Sequence, residues 1–419
     1  MNLFSLVWNY LKARPLNTVL NIILLSLGIA VITILLIFNK QLEENITRNA
    51  KGIDLVVGAK GSPLQLILCN IFHMDFPTGN INLAEAEKIA KNRLVKKAIP
   101  LALGDSYQGF RIIGTTIDYP QLYEAEVREG GWYKEVMEVT IGANVAAQLQ
   151  LRLNDEFTST HGLSADGHSH DAMHFKVKGI LQKSQSVIDN LIFTSVQSIW
   201  KVHEEHEEEE HGEEEKAHDY VAVTNSSLLV PGVEAGDTTK EITSMLIRYR
   251  SPMGAIQLPR FVNSQSTMQA ASPAFETARL FSIMGVGLNI LNGFAFVLIF
   301  ISGLSIFIAL YNSLKERRYD LAIMRSMGAT KQKLFVSVIL EGVLLTFFGA
   351  LAGLILGHLV VTLLGNMLEE TQKAGINGLV FYVDEWIILV GSLLLGLVSS
   401  VIPAFQAYRT DISKVLAGN

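Results

Sequence analysis

The sequence predicts an α-helical membrane protein with four transmembrane helices, arranged one plus three, and a large mixed α/β domain between the first and the second. Three observations predict this class. The 419 residues are 49% hydrophobic and only 18% charged, with a mean hydropathy of +0.31, whereas an ordinary soluble domain is about 25% charged. Four apolar segments reach the ~20 residues that a helix needs to cross a hydrocarbon core. Between the first two lie 250 residues, which is the length of a domain.

The four apolar segments are predicted to be membrane spans at residues 17–39, 290–310, 342–365 and 386–405. Trp386 at the start of the fourth is typical of an interfacial anchor. A basic tail before the first span also fits a signal peptide, but the apolar run is too long and no small-residue cleavage site ends it. We therefore expect an uncleaved first span that lies in lipid.

The distribution of basic residues predicts the orientation of the spans. Basic residues outnumber acidic ones in the tail of residues 1–16, the link of residues 311–341 and the tail of residues 406–419. The loop of residues 366–385 has one lysine against four acidic residues. We expect both termini and the link in the cytoplasm of a bacterial inner-membrane protein, and residues 40–289 in the periplasm.

The outer segment, residues 40–289, has mixed helix and strand patterns. Residues 83–97 are rich in Ala, Glu and Lys and favour a helix. Residues 40–50 and 266–289 flank the spans and predict helical stalks that continue spans one and two outward. Short strand-like runs are found at Ile53–Val57, Val136–Ile141 and His174–Leu181.

Charge and cysteine usage exclude two classes of protein. The formal net charge is −6, and residues 201–219 alone contribute −8, so the other 400 residues sum to +2. A nucleic-acid-binding function is excluded because the phosphate backbone requires a basic surface. A disulfide scaffold is excluded because Cys69 is the only cysteine.

Eight of the ten histidines fall between residues 161 and 218, partly within a run of nine glutamates. Imidazole and carboxylate groups together suit Zn²⁺ and its neighbours in the transition series, so we expect a loose, multi-site metal contact. A solvated, disordered acidic segment is the alternative that the composition also supports. The eight candidate metal ligands are His161, His168, His170, His174, His203, His206, His211 and His218.

Several motifs of catalysis and pumping are absent from the sequence. It contains no phosphate-binding G-x-x-x-x-G-K-[ST] loop, no nucleophile elbow and no H-E-x-x-H zinc motif. The spans show no chain of acidic and basic residues of the kind that marks proton pumps. We therefore expect a non-catalytic polypeptide with no intrinsic cofactor.

The cytoplasmic link, residues 311–341, contains an amphipathic helix followed by a turn. Leu314, Leu321 and Met324 are predicted to share its apolar face, and Gly328 to end it. Such a helix fits a groove in a cytoplasmic protein and equally fits anionic lipid headgroups. The pattern of residues alone leaves both interpretations open.

The link also carries the pattern E-R-R-x-D-x-A-I-x-R-S-x-G-A from Glu316 to Ala329, followed by Glu341 at the head of the next span. This pattern resembles the permease subunits of the MacB/LolC/FtsX superfamily of ABC transporters. Residues 139–142, 151–157 and 179–181 resemble the outer domain of that family, and the ending Ile402–Arg409 resembles its C-terminus.

The resemblance implies a permease that dimerises and binds two copies of a cytoplasmic ATPase, which holds ATP and Mg²⁺. Because the sequence begins 16 residues before the first span, that ATPase is expected to be a separate chain. ATP-driven closure would then move the stalks and the outer domain. The resemblance implies that the ATPase-coupling residues are Glu316, Arg317, Arg318, Asp320, Arg325 and Gly328.

Gly349, Gly353 and Gly357 in the third span form two overlapping G-x-x-x-G units. This spacing lets helices approach closely, which favours packing against a second copy of the chain in a homodimer. Packing against another span of the same chain is the alternative.

The leading functional hypothesis is a permease that transmits ATP-driven motion to the periplasm, with zinc or another divalent metal as its most specific version. Leu55–Leu68 resembles a subgroup that accompanies histidine-rich periplasmic zinc proteins, so a periplasmic metal-binding protein is an expected partner. One alternative is export of a lipoprotein or small molecule. Others are an FtsX-like regulator of a periplasmic enzyme and a metal sensor that signals without ATP.

Overall fold

A computed structural model describes residues 3–161, 169–211, 227–234, 236–367 and 376–409. The chain divides into two compact units. The membrane unit comprises Met1–Glu43 and Ile283–Asn419, and the outer unit comprises Glu44–Ser282.

The described helices and strands are numbered here in chain order. The helices are α1 (Leu3–Ala13), α2 (Pro15–Asn49), α3 (Pro63–Asn70), α4 (Leu83–Ala90), α5 (Asp118–Leu122), α6 (Ala143–Leu149), α7 (Val196–His211), α8 (Met253–Gln265), α9 (Pro273–Glu316), α10 (Arg318–Ser326), α11 (Lys331–Met367) and α12 (Asp384–Arg409). The strands are β1 (Leu55–Ala59), β2 (Ile81–Asn82), β3 (Val95–Tyr107), β4 (Phe110–Thr115), β5 (Val127–Gly130), β6 (Glu138–Ile141), β7 (Glu156–His161), β8 (Ser169–Leu181), β9 (Leu191–Thr194), β10 (Glu241–Ile242), β11 (Ser244–Tyr249) and β12 (Met268–Ala271).

Four of the described helices, α2, α9, α11 and α12, are long and apolar enough to cross a membrane. They coincide with the four predicted spans in a one-plus-three layout, so the predicted fold class is confirmed. With 35 and 44 residues, α2 and α9 measure about 52 and 66 Å at 1.5 Å per residue. Both exceed the ~30 Å hydrocarbon core, so each includes residues beyond it.

The predicted helical continuations of the first two spans belong to the same helices as the spans. The first continues to Asn49 without a break. The second starts at Pro273 and not at residue 266, because residues 268–271 form strand β12. Proline is well suited to the first turn of a helix, where its missing N–H has no intrahelical partner.

The outer unit is built on one large mixed sheet with the strand order β12-β1-β11-β3-β4-β9-β6-β8-β5, and β7 pairs with both β3 and β8. The strand-like runs predicted from the sequence lie on β1, β6 and β8. The predicted helix of residues 83–97 is too long. It ends at Ala90 as α4, and β3 begins at Val95.

The side chains of the sheet alternate between two buried clusters. Leu55 and Val57 face one cluster, and Val56 between them faces the other, as the period of two along a strand requires. Residues of α4, α6, α7 and α8 complete the first cluster, and residues of α3 and α5 complete the second. The outer unit is therefore an α/β domain whose sheet is covered by helices on both faces.

Candidate functional site

Helix α10, in the link between the second and third spans, has an inner side that packs on its own membrane unit. Leu321 on α10 is buried in a cluster with Leu314, and Met324 packs against the same cluster. The other members of the cluster come from α11 and α12, namely Leu334, Val338, Ala404 and Ala407. The predicted apolar face of the link exists, but it packs against helices of its own chain.

The opposite side of α10 exposes a second set of apolar residues. Tyr319, Ile323 and Met327 are 59%, 36% and 81% exposed, and their spacing of four places them on one helix face. Asp320 is exposed beside them. Gly328 follows the helix with φ +98°, a backbone conformation that favours glycine. Tyr319, Ile323 and Met327 thus form an exposed apolar stripe on α10.

Arg317, immediately before α10, joins three parts of the membrane unit. Its Nη2 lies 3.2 Å from Oε1 of Glu341 on α11, and the two side chains are only 13% and 11% exposed. Its guanidinium also lies 4.0 Å from the ring centroid of Tyr10 on α1, a cation–π geometry. The neighbouring Glu316 forms an ion pair with Arg14. The start of the link is thus held to the N-terminal helix and to the third span.

The six predicted coupling residues therefore have different surroundings. Glu316 and Arg317 make ion pairs within the chain, Asp320 and Gly328 are exposed, and Arg325 is half-buried. The side chain of Arg318 lies outside the described residues. Sequence reasoning missed Tyr10 because 307 positions separate it from Arg317, and no local pattern connects them.

The glycine stripe of α11 packs against the first span of the same chain. A Cβ at Gly349 would lie 2.8 Å from Leu25, one at Gly353 would lie 2.7 Å from Ile29, and one at Gly357 would lie 2.8 Å from Thr33. These short distances show that α2 occupies the groove that the missing side chains create. The stripe packs against the first span of the same chain, and the homodimer stays a prediction.

A second buried acid–base pair lies near the other end of α11. Nδ1 of His358 donates to the carbonyl oxygen of Gly378 at 2.5 Å, and Nε2 forms a hydrogen bond with Oε2 of Glu385 at 2.9 Å. The other oxygen of Glu385 accepts a hydrogen bond from the backbone N–H of Tyr382. The sequence contains both residues, but nothing in it indicated that they meet.

The eight candidate metal ligands belong to the outer unit, and the structure describes the side chains of His174 and His203 only. His174 is exposed on β8 and His203 is on α7. His161, His170, His206 and His211 are placed by their backbone alone, and His168 and His218 lie outside the described residues. Within the described side chains, no three His, Cys, Asp or Glu groups are close enough together to hold a metal ion.

The four-span membrane unit, the outer α/β domain and the helical link between the second and third spans define a class of multi-span membrane protein. Two family models match this chain. A model described as the MacB-like periplasmic core domain matches residues 18–245, and one described as the FtsX-like permease C-terminal matches residues 292–412. Since the first covers more than half of the chain, the protein belongs to the family of MacB-like and FtsX-like ABC transporter permeases, whose permease subunits are non-catalytic.

Three curated proteins are similar to this chain over part of its length. An uncharacterised ABC transporter permease of Methanocaldococcus jannaschii is 25% identical over 33% of this chain and 34% of its own. The uncharacterised permease YknZ of Bacillus subtilis is 25% identical over 29% and 30% of the two chains. LolC of Haemophilus influenzae, a lipoprotein-releasing system transmembrane protein, is 30% identical over 24% and 26%. The chain thus spans about a third or less of the length of these relatives.

Two solved structures also match. The periplasmic region of MacB from Actinobacillus actinomycetemcomitans covers 56% of this chain and 97% of its own length, with 10% identity and a TM-score of 0.33. The extracellular domain of YknZ from Gram-positive bacteria covers 52% and 99%, with 10% identity and a TM-score of 0.29.

Proposed function

We propose that this chain is the permease subunit of an ABC transporter that binds a separate cytoplasmic ATPase through α10. ATP hydrolysis by that ATPase is transmitted through the long helices to the outer domain. The observation that carries the proposal is the two-sided arrangement of α10, which packs on its own chain with one side and presents an apolar stripe on the other.

The inner side of α10 supports force transmission. Leu321 on α10 is buried among residues of three other helices of the same chain. Movement of α10 would therefore move those helices too, which a helix in contact with the partner alone would not do. Arg317 adds an ion pair to α11, and Glu316 adds one to Arg14, which lies between α1 and α2. A push on α10 therefore reaches the first and third spans directly.

The outer end of α2 supports the second half of the proposal. Arg48 donates to the backbone oxygen of Gln185 at 2.6 Å. Asn49 accepts hydrogen bonds from Val187 N–H at 3.0 Å and from the hydroxyl of Tyr123 at 2.8 Å. These bonds fix the last turn of the helix within the outer unit, so movement of the first span would carry the segments around Tyr123 and residues 185–187 with it.

The docking role of the exposed stripe is tested by placing charge on it. The full chain is co-expressed with a candidate ATPase, purified in lipid nanodiscs, and assayed for co-purification and ATP turnover. Ile323→Glu combined with Met327→Glu is expected to abolish co-purification, because two carboxylates would enter an apolar contact. Glu129→Lys, on the exposed strand β5, is the matched control and should behave as wild type. Full binding by the double variant would remove α10 as the docking element.

Arg317 calls for a different test because it is paired inside the chain. Exchanging the partners as Arg317→Glu with Glu341→Arg restores an ion pair but reverses the charge at position 317. If Arg317 positions α10 through Glu341, the exchange should recover much of the coupling lost in Arg317→Glu alone. No recovery, together with normal folding, would place Arg317 in direct contact with the ATPase.

The cytoplasmic location of α10 follows from the basic residues around it. In a Cys69→Ser background, Ser326→Cys should react with an impermeant maleimide only after the membrane is opened. Glu129→Cys on the outer unit should react in intact spheroplasts. The reverse pattern would invert the proposed topology, with both termini outside.

Two classes of cargo are compatible with the proposed transporter. Divalent-metal handling is favoured by the eight histidines between residues 161 and 218, with zinc as the first ion to test. Export of a lipoprotein is favoured by the similarity to LolC, whose name describes lipoprotein release. Zn²⁺-dependent stimulation of ATP turnover, against stimulation by a reconstituted lipoprotein, distinguishes them.

A further inference from the structure

The loop segment of residues 376–383, which precedes α12, lies alongside α11. A Cβ built on Gly378 would lie 2.5 Å from the backbone oxygen of His358 and 2.6 Å from the backbone nitrogen of Thr362. Because α11 continues to Met367, Gly378 lies beside the helix five to nine residues before its end. This offset corresponds to about 8–14 Å at 1.5 Å per residue, so the loop segment descends along α11 into the membrane unit.

The level of Gly378 is that of the apolar runs. Both of its contacts on α11 belong to the predicted third span. The adjoining Gly357 packs on the first span, where Cβ of Thr33 lies 2.8 Å from a Cβ built on the glycine. With four crossings, the loop segment lies on the side of the membrane where α2 enters the outer unit. Gly378 is therefore at the depth of the leaflet on that side, called the outer leaflet below.

Non-helical backbone is tolerated at membrane depth only where protein groups satisfy its N–H and C=O groups, because lipid offers them no hydrogen bonds. Gln41, near the outer end of the first span, satisfies both groups of Asn377. Its Nε2 donates to the backbone oxygen at 2.7 Å, and its Oε1 accepts from the backbone N–H at 2.8 Å. The side chain of Asn377 accepts in turn from the N–H of Leu379 at 2.9 Å. The loop segment is thus tied to the first span.

The buried pair of His358 and Glu385 satisfies two further backbone groups of the loop segment. Nδ1 of His358 donates to the oxygen of Gly378 at 2.5 Å, and Oε1 of Glu385 accepts from the N–H of Tyr382 at 2.8 Å. The ring of Phe381 packs on the imidazole, with ring centroids 4.2 Å apart. These contacts explain why two polar side chains are buried at this depth, and they fix the loop segment against α11 and α12.

The side chains that the loop segment exposes are apolar. Leu379, Phe381 and Val383 are 72%, 74% and 84% exposed, and residues 376–383 include no charged residue. Exposed apolar surface of this kind marks contact with a protein or a membrane. The loop segment continues directly into α12, where Trp386 is 68% exposed, as an interfacial anchor would be. Depth, absence of charge and continuity with a span all favour lipid as the occupant.

We propose that the loop segment is re-entrant and inserts Leu379, Phe381 and Val383 among the acyl chains of phospholipids in the outer leaflet. Because Gln41 holds its backbone, the loop segment moves with the first span, and a shift of α2 displaces the lipid beside it. This displacement rests on the proposed ATP-driven movement of α2, whereas the insertion itself does not.

Insertion is tested with spin labels on the full chain in nanodiscs of phosphatidylethanolamine and phosphatidylglycerol. In a Cys69→Ser background, separate labels at Leu379→Cys and Val383→Cys should collide several times more often with oxygen, which concentrates in lipid, than with a water-soluble nickel chelate. Val398→Cys on α12, at a residue 67% exposed, is the lipid reference. Leu228→Cys on the outer unit, at a residue 61% exposed, is the matched control and should favour the nickel chelate.

The connection to the first span is tested by Gln41→Met, which preserves side-chain length and removes both hydrogen bonds to Asn377. The label at position 379 should become more mobile in its spectrum. Lys40→Met is the matched control. The ion pair of Lys40 with Asp384 has side chains 44% and 42% exposed, and exposed pairs contribute little, so the label should keep its mobility.

Gly378→Val tests whether close packing on α11 sets the depth of the loop segment. The new side chain would collide with the backbone of α11, so the label at position 383 should collide more often with the nickel chelate. Gly391→Val on α12 is the matched control, since no atom of the described residues lies within 4 Å of its Cβ position. Thermal midpoints show whether each variant is folded, and the two label positions without further substitution decide the insertion by themselves.

Two results would overturn the insertion. One is a preference for the nickel chelate at both label positions as strong as that at position 228, which would place the loop segment in water. The other is exclusion of both reagents, which would show that protein covers it, either the outer unit or a second copy. Unchanged mobility in Gln41→Met would remove the connection to the first span. All of these measurements are made without the ATPase, so failure of the docking proposal is distinguishable.

Discussion

Helix α11 carries two buried acid–base pairs near its opposite ends, and they differ in one chemical respect. Glu341 pairs with Arg317, with side chains 11% and 13% exposed. His358 pairs with Glu385, with side chains 10% and 7% exposed. The two positions on α11 are about 26 Å apart at 1.5 Å per residue. Burial is nearly equal, but the arginine pair is an ion pair made by a guanidinium that has only donors, whereas the histidine ring forms one hydrogen bond from each of its two nitrogens.

This difference suggests two kinds of connection in one membrane unit. The arginine pair, at the end predicted to be cytoplasmic, joins the start of the link to the third span through an ion pair. The histidine pair, at the end predicted to face the periplasm, joins the third span to Gly378 and to the start of α12 through two hydrogen bonds.

The largest expected effect comes from Glu341→Ala. Removing one partner of a buried ion pair leaves Arg317 as an uncompensated charge, and such changes cost about 3–5 kcal/mol of the free energy of unfolding. Thermal unfolding of the full chain in detergent measures the loss. The double variant Arg317→Met with Glu341→Leu removes both charges and should be much closer to wild type. Equal destabilisation by the single and double variants would contradict the view that unpaired charge is the cause.

The second-largest loss of stability is expected at the pair of His358 and Glu385. His358→Leu removes two hydrogen bonds, each worth ~1 kcal/mol or more when a charged group takes part, so we expect a loss of roughly 2–4 kcal/mol. The amides of residues 378–385 should exchange with deuterium faster. Glu385→Gln is the control, since it retains an acceptor for the N–H of Tyr382. Unchanged exchange in His358→Leu would show that this pair does not hold the loop.

Between the two pairs, α11 is held by close packing. In Gly353→Ala the new Cβ would lie 2.7 Å from Cβ of Ile29 and 2.8 Å from the backbone oxygen of Ser26, and overpacking of this kind costs about 1–3 kcal/mol. We expect a lower thermal midpoint with an unchanged oligomeric state. Gly391→Ala on α12 is the matched control, because no atom lies within 4 Å of its Cβ position. Loss of a dimer with an unaltered midpoint would restore the glycine stripe to the dimer interface.

The fold class was predictable because it depends on the length of apolar runs, and each run is a local property of the sequence. The prediction of a helix over residues 83–97 was wrong at its C-terminal end, where tertiary packing places the residues in strand β3. Lys96 and Lys97 favour a helix by composition, but Val95, Ile99 and Leu101 are buried in the sheet, and this burial overrides the local preference.

The candidate site was predictable only in its location. The motif from Glu316 to Ala329 identified the link, but an amphipathic pattern cannot say whether its apolar face meets a partner or its own chain. In the structure, Leu321 and Met324 of this face pack on helices of the same chain. Gly353 likewise packs against Ile29 of the first span, which its spacing alone did not determine. The pairs Arg317–Tyr10 and His358–Glu385 depend on how helices lie side by side, and no spacing along the chain encodes that.

A second histidine, in the outer unit, sharpens the comparison because its hydrogen-bond partner is a phenol and not a carboxylate. Nε2 of His73 lies 2.7 Å from the hydroxyl of Tyr119, and its Nδ1 is buried without a hydrogen-bond partner among the described residues. Burial, together with the nearby guanidinium of Arg111, lowers the pKa of His73 well below its ordinary value of 6.5. His358 faces a carboxylate, whereas His73 faces a neutral phenol and a cation.

The expected consequence is an acid-sensitive contribution to stability, and it is the smallest of the four effects. The unfolded chain binds a proton at residue 73 below about pH 6.5, and the folded chain does not. Stability is therefore complete above that pH and falls as the pH drops below it, by at most about 1.4 kcal/mol per pH unit. His73→Asn, which tolerates the φ of +54° at this position, should flatten the dependence of the full chain's thermal midpoint between pH 7 and 5. His174→Gln should keep the wild-type slope. An equal slope in His73→Asn and wild type would show that His73 accepts its proton in the folded protein, as a histidine beside an acid can.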